Sequence, residues 1–167
     1  MIIRPVEPNE YDELGALTLD AYTALDGHVH EPTYEAELAD VRGRAEAPST
    51  VVYAAVDEDG RLLGGVTHAV DHTSPLAEAT PEDAAAIRML AVARTAQGRG
   101  TGEALVRACI ARAQDDGKSA VVLHTTPWMT TAHRLYERLG FERDPARDWQ
   151  VMPELLLLAY RLDLVRP

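Results

Sequence analysis

Two hydrophobic rhythms divide the chain. Leu14, Leu17 and Ala21 recur at i, i+3 and i+7, the spacing of one helical face. Asn9 stands where an N-cap would, with Glu10, Asp12 and Glu13 in the first turn, where carboxylates suit the helix dipole. Gly27 breaks this pattern, and a second helix starting near Pro32-Thr33 would bury Tyr34, Leu38 and Val41. Ahead of both, Ile2-Ile3-Arg4-Pro5-Val6 is a short β-favouring stretch in which Pro5 suits an edge or a strand end. Beyond Pro48 the rhythm changes. Val51 to Val56 is a continuous β-type run, Asp57-Glu58-Asp59-Gly60 supplies turn chemistry, and Leu62 to Val70 gives the return strand of a hairpin. A polar loop rich in Thr, Pro and acid spans Asp71 to Asp83. Ala86 to Val92 is a central strand candidate, followed by glycines and a helix from about Gly100 to Asp115 with Leu105, Cys109 and Ala113 near one face. Gly117 ends that helix, Ala120 to His124 reads as a buried strand, and Thr130 to Leu139 as a helix turning Ala132, Leu135 and Leu139 inward. Phe141-Glu142-Arg143 and Leu155 to Leu162 supply two closing strands.

The resulting order is strand, two helices, three strands, helix, strand, helix, two strands. Neither a doubly wound alternation nor separate blocks, it predicts a mixed α+β fold. No repeat or linker interrupts it, so residues 1–167 are expected to form one domain.

Composition narrows the function classes. The net charge of −11 argues against nucleic acid as a partner, because phosphate contacts need clustered Lys and Arg. Between Glu7 and Glu46 there are eleven carboxylates and two arginines, Arg42 and Arg44; solvated helix faces account for this, and so would a negative rim that attracts a cationic amine. No apolar run is long enough to cross a bilayer, and Met1 to Pro5 lacks the features of a secretory signal, so no membrane partner and a cytoplasmic location are expected. Cys109 is the sole cysteine and cannot form an internal disulfide or a thiolate metal cluster.

The chemistry gathers at Gln97-Gly98-Arg99-Gly100-Thr101-Gly102, between an apolar strand and a helix start. Glycines let backbone approach a ligand closely, and the first N–H groups of a helix point outward unpaired. With the helix dipole, and Arg99 adding charge nearby, this is an anion site suited to a phosphate-bearing group. A Walker A loop would need a Gly-Lys-Ser/Thr ending, which is missing; the dinucleotide fingerprint would need glycine where Glu103 stands, which counts against a nucleotide-dependent oxidoreductase.

Gln-x-x-Gly-x-Gly here resembles the pyrophosphate loop of the GCN5-related N-acetyltransferase (GNAT) superfamily. Ile87-Arg88-Met89-Leu90-Ala91-Val92 looks like that family's fourth strand, and Ala132-His133-Arg134-Leu135-Tyr136-Glu137-Arg138-Leu139-Gly140-Phe141 resembles its Ala-x-x-x-Tyr-x-x-x-Gly-Phe signature. The two blocks stand in register across roughly residues 86 to 143. The resemblance implies a central, mostly antiparallel sheet splayed between its fourth and fifth strands, with helices on both faces. It implies acetyl-CoA as co-substrate, no metal, and a primary amine of a small molecule, peptide or protein as acceptor. Backbone groups of Leu90, Ala91 and Val92 would hold the pantetheine arm, the Leu90 N–H would face the thioester oxygen, and residues 98 to 102 would take the pyrophosphate with Gln97 ordering the loop. Tyr136 would be the general acid for the departing thiolate, and Met129 and Ala132 would lie beside the cofactor. A homodimer is compatible with the family, though no motif establishes one. A catalytically weak acyl-CoA-binding module of the same fold is the rival reading.

Two positions depart from the family pattern. Ala86 stands where many members carry Glu as candidate base, so the base is open among Glu82 or Asp83, His124, and arrival of the neutral amine. Met129 stands where members often have Asn, with Thr130 and Thr131 beside it. His28, His30 and Glu31, and again His68, Asp71 and His72, resemble metal ligands by type but lack the i, i+4 spacing of a zinc protease site. The Asp26 to Glu31 stretch is expected to wall the acceptor site, and Trp128 and Trp149 could line it or fill the core.

Overall fold

The computed structural model describes residues 1–165. In chain order the elements are β1 (Ile2–Pro5), α1 (Tyr11–Thr23), α2 (Pro32–Ala39), α3 (Val41–Ala45), β2 (Thr50–Val56), β3 (Leu62–Ala69), β4 (Ala84–Val92), α4 (Thr101–Asp115), β5 (Ala120–Thr125), α5 (Thr130–Arg138), β6 (Glu142–Arg143), β7 (Trp149–Met152) and β8 (Leu155–Asp163). One sheet runs β1-β2-β3-β4-β5-β8-β6, with β7 paired to β8 alone. Every pairing is antiparallel except β4 with β5. No helix among the described residues is long and apolar enough to cross a membrane.

Strand alternation assigns each side chain its face. Tyr53 and Ala55 of β2 pack with Ala85, Ile87, Val121 and Leu123 against Leu105, Val106 and Cys109 of α4 and Tyr136 of α5. Val52, Ala54 and Val56 turn the other way, onto Tyr11 and Leu14 of α1 and Val41 of α3. Ala84, Ala86, Ala120 and Val122 share that second face with Ala69 and with Ala77, a residue of the loop between β3 and β4. Helices therefore cover both faces, as the family resemblance implies.

Three local readings need correction. Asn9 does not cap α1: it lies in a 3₁₀ turn, Pro8–Glu10, where the Glu10 carboxylate accepts from the Glu7 N–H at 2.8 Å and holds Arg4 at 2.7 Å. The expected second helix is two. Asp40 leaves helical geometry (φ −83°, ψ 72°) and its carboxylate accepts from the Gly43 N–H at 2.8 Å, ending α2 and starting α3. The buried Arg44 guanidinium secures the corner by donating to the Leu38 and Asp40 carbonyls and, at 3.0 Å, to Thr67 Oγ1. The third is β7, an extra strand after residue 148. Its alternation lasts four residues, too few to register as a pattern, and Pro153-Glu154 turns it directly into β8.

Candidate active site

The parallel β4–β5 ladder runs from Ala84↔Ala120 only to Ile87↔Leu123. β4 continues five residues further without a partner on that side. A bulge marks the parting: Gly65 pairs Ala91 while Thr67 pairs Arg88, so two steps on β3 oppose three on β4, and Met89 takes φ +54°. Positive φ in a β-type methionine is strained, and such strain collects at sites of function. The backbone of Arg88 to Val92 is thereby left as a free edge along the gap.

Two cavities meet at this gap. The larger, about 580 Å³, is lined by Leu90, Ala91, Val92, Gln97, Gly98, Gly100, Thr101, Gly102, Met129 and Ala132, ten of the twelve residues expected at the cofactor. Gly98 and Gly100 have φ of +73° and +79°, and a Cβ on either would meet nothing within 4 Å. These glycines are therefore required for backbone conformation, leaving open space over the N-terminus of α4. No side chain caps that helix, so its leading N–H groups face the groove. This arrangement fits the pyrophosphate of an acyl-CoA. Arg99, in contrast, is exposed and does not line the groove; its charge acts on Asp57 of the β2–β3 turn. Sequence reasoning missed Arg134, which lines the groove from α5 and carries no ion pair among the described residues, and Arg138, which is bound to Glu103 at 3.0 Å. Their i, i+4 spacing on the helix after the glycine loop is the available signal.

The smaller cavity, about 260 Å³, lies on the α1–α2 side. Tyr22, Leu25, Leu90, Trp128 and Met129 line both cavities and so form the passage between them. Tyr136 lines only the smaller one, its ring 5.7 Å from Phe141 and 6.2 Å from Tyr160. Burial pushes its phenol well above the ordinary tyrosine range, so it stays protonated through neutral pH. Burial likewise raises Tyr22 and Tyr34.

The loop joining α1 and α2 walls this cavity, as expected, through His28, Val29 and Glu31. Gly27 makes the wall close: at φ +88°, a Cβ there would lie 3.0 Å from the Trp128 indole. Trp128 and Trp149 both line the cavity, Trp149 on β7 with Val151 and Met152. Glu31 is engaged as the cap of α2, accepting from the Thr33 and Tyr34 N–H groups at 3.0 and 2.7 Å. The grouping of His28 and His30 runs instead through Glu35, whose Oε1 accepts from both rings at 2.9 and 2.8 Å. Their donor atoms lie within 4.8 Å of one another. His68, Asp71 and His72 form no such group among the described residues; His68 is fully buried in β3 and Asp71 bonds Thr73.

The base candidates separate by position. Glu82 and Asp83 lie outside the cavity, ahead of the end of β4 that pairs with β5. His124 lines it, its Nε2 donating to the Arg147 carbonyl at 2.9 Å; the neutral ring then carries its lone pair on Nδ1. Three charged residues missed by sequence reasoning also line it: Arg88 of β4 and Glu78 of the β3–β4 loop, 2.8 Å apart, and Glu37 of α2.

The profile of the acetyltransferase (GNAT) family matches residues 12–141, most of the chain. The chain belongs to this family. A GCN5-related N-acetyltransferase from Kribbella flavida superposes with a TM-score of 0.72 at 23% identity, covering 98% of this chain and 97% of that one. A GNAT-family acetyltransferase from Staphylococcus aureus Mu50 superposes at 0.76 with 12% identity, over 98% and 99% of the two chains. At such identities the likeness is one of fold, and the mixed sheet with its single parallel β4–β5 pairing is that fold. In sequence, a mycothiol acetyltransferase of Cellulomonas flavigena is 34% identical over 108 residues, 63% of this chain and 31% of that protein. N-acetylaspartate synthetase of Rattus norvegicus is 34% identical over 130 residues, 75% of this chain and 40% of that protein. The chain thus spans two fifths or less of the length of these relatives.

Proposed function

We propose that this GNAT-family protein is an N-acetyltransferase that moves the acetyl group of acetyl-CoA to a primary amine by direct attack. The observation that carries the reading is the position of Leu90, on the unpaired edge of β4 and in the wall of both cavities. An acyl chain lying along that edge from the glycine loop would end where the acceptor cavity begins.

Holding the thioester, polarising its carbonyl and receiving the departing sulfur each have residues to meet them. The N–H groups of residues 98 to 102 hold the pyrophosphate, and the exposed edge at Leu90 to Val92 binds the pantetheine amides as a neighbouring strand would. The Leu90 N–H donates to the thioester oxygen as charge develops there. The acceptor's ammonium releases one proton to solvent, its nitrogen forms the C–N bond as the C–S bond breaks, and the thiolate takes up a proton as the new amide loses its second. Tyr136 is the hydrogen-bond donor to the departing sulfur. A phenol raised by burial is a weaker acid than a thiol near 8.5, so Tyr136 acts by holding a hydrogen bond to the sulfur as charge grows. The balanced change is ammonium plus thioester giving amide, thiol and one proton. Names among the relatives agree in reaction type: mycothiol acetyltransferase and N-acetylaspartate synthetase.

Thiol release from acetyl-CoA across an amine panel, with the acetylated product followed by mass spectrometry, tests the reading. Amine-dependent release with matching product supports it. Tight acetyl-CoA binding with no release on any amine would leave an acyl-CoA-binding module.

A further inference from the structure

We infer that the smaller cavity receives the zwitterionic head of an α-amino acid with an apolar side chain, Arg88 taking the carboxylate and Glu78 the ammonium. This rests on the acetyl transfer proposed above and names its acceptor class.

Among the described residues Arg88 is the sole arginine or lysine lining the cavity, and its side chain is 20% exposed. A guanidinium has five N–H donors in a planar fork. Its only side-chain partner among the described residues is Glu78, met through Nη2 and Oε1 at 2.8 Å. The remaining donors carry no side-chain partner among the described residues, and the planar fork of this cavity-lining residue can take a carboxylate through two parallel bonds. Glu78 Oε2 likewise has no partner among the described residues. The Glu78 backbone is held at φ +45°, a left-handed conformation that a glutamate adopts only under constraint. Its neighbour Ala77 is buried in one cluster with Ala84 and Ala86 of β4, and the Ala77 N–H donates to the Ser74 carbonyl at 3.0 Å, which anchors the loop at this point. The loop thereby delivers a carboxylate beside Arg88 that β4 itself lacks.

A fixed positive and negative charge this close complement a ligand whose own two charges are equally close, set head to tail against them. An α-amino acid has that form. A plain monoamine would satisfy Glu78 and leave the Arg88 fork without an anion, and a second carboxylate near the amine would oppose Glu78. Of the other acids lining the cavity, Glu31 is consumed in capping α2 and Glu37 is exposed to solvent, which screens its charge. Arg88 stands two residues before Leu90 on the same strand, which sets the amine beside the acyl carbon. Beyond the charged pair the walls are Trp149, Val151, Leu155 and Leu157, surfaces for an apolar side chain.

The test uses matched pairs differing by one carboxylate: leucine and isoamylamine, methionine and 3-(methylthio)propylamine, phenylalanine and phenethylamine. For the intact chain, kcat/KM should favour the amino acid of a pair by about 100-fold. Arg88→Gln should bring each pair within about 3-fold, mainly by raising KM for the acid, while calorimetry shows unchanged acetyl-CoA affinity. Arg88→Lys should restore part of the preference. Equal or better use of the decarboxylated amines, or Arg88→Gln lowering both members alike, would overturn the assignment and leave acetyl transfer standing. If Arg88→Gln does not fold, the preference of the unaltered chain decides by itself. Acetyl-CoA binding without transfer to any member would overturn the acetyltransferase reading and this one with it.

Discussion

The position of a Cβ on Gly27 lies 3.0 Å from the indole of Trp128, so the α1–α2 loop rests directly on the residue that divides the two cavities. Gly27 also needs φ +88°, which a residue with a side chain resists. Gly27→Ala should destabilise the fold by about 1–2 kcal/mol and shift the loop away from Trp128. Since the loop walls the acceptor side, kcat/KM for amines should fall more than acetyl-CoA affinity does. Thermal melts, steady-state kinetics and calorimetry on the variant check all three parts.

The glycine loop gives a different signature. A side chain at Gly100 would meet no neighbouring atom, so Gly100→Ala carries only the backbone cost of φ +79°, about 1 kcal/mol. The same change displaces the N–H groups over α4. Acetyl-CoA should bind at least about 10-fold more weakly, while a pantetheine thioester without phosphates loses little. Arg134→Ala should also weaken acetyl-CoA selectively and reduce the salt dependence of binding, which titrations at several ionic strengths will show.

Tyr136→Phe keeps the ring against Phe141 and Tyr160 and removes only the hydroxyl. Turnover should fall by about 10-fold or more with acetyl-CoA affinity unchanged. Because burial raises this phenol, loss of its proton should not limit the rate below about pH 10. Turnover equal to the unaltered chain across the pH range would remove Tyr136 from the chemistry.

His68 sets a pH dependence of stability separate from activity. It is fully buried, neither ring nitrogen has a partner, and burial lowers its pKa from 6.5 to about 4. Between those values the unfolded chain binds a proton that the folded chain refuses, so stability falls as the pH drops from 6.5 toward 4 and levels off above 6.5. Across that whole window the loss amounts to roughly 3 kcal/mol. His68→Leu removes two unpaired buried nitrogens and should flatten urea-derived stability across the same range.

What the sequence made legible follows from how local each signal is. The glycine loop, the strand before it and the Tyr136 signature are contiguous motifs, and most of their expected site residues line the larger cavity, with Tyr136 in the smaller one beside it. Element order is legible for the same reason, since helix and strand periods repeat over many residues. The smaller cavity is assembled from short pieces far apart: Tyr22 on α1, Tyr34 on α2, Glu78 on a loop, Arg88 on β4, His124 on β5 and Trp149 on β7. No spacing rule links Glu78 to Arg88, because one lies on a loop and the other on β4, and they meet only when the loop folds against the strand. Arg99 shows the converse. It adjoins the anion site in sequence, yet the turn at Gly98 and Gly100 carries it outward toward Asp57.

Carbon-13 NMR with acetyl-CoA labelled at the thioester carbonyl tests the central claim most directly. Bound to the protein, the carbonyl signal should move downfield, the response to a hydrogen bond from the Leu90 N–H. Adding an amino acid acceptor should convert that signal straight into the amide resonance, with no labelled protein at any stage. An unshifted thioester that persists when acceptor is added, or label appearing covalently on the protein, would contradict direct transfer at this site.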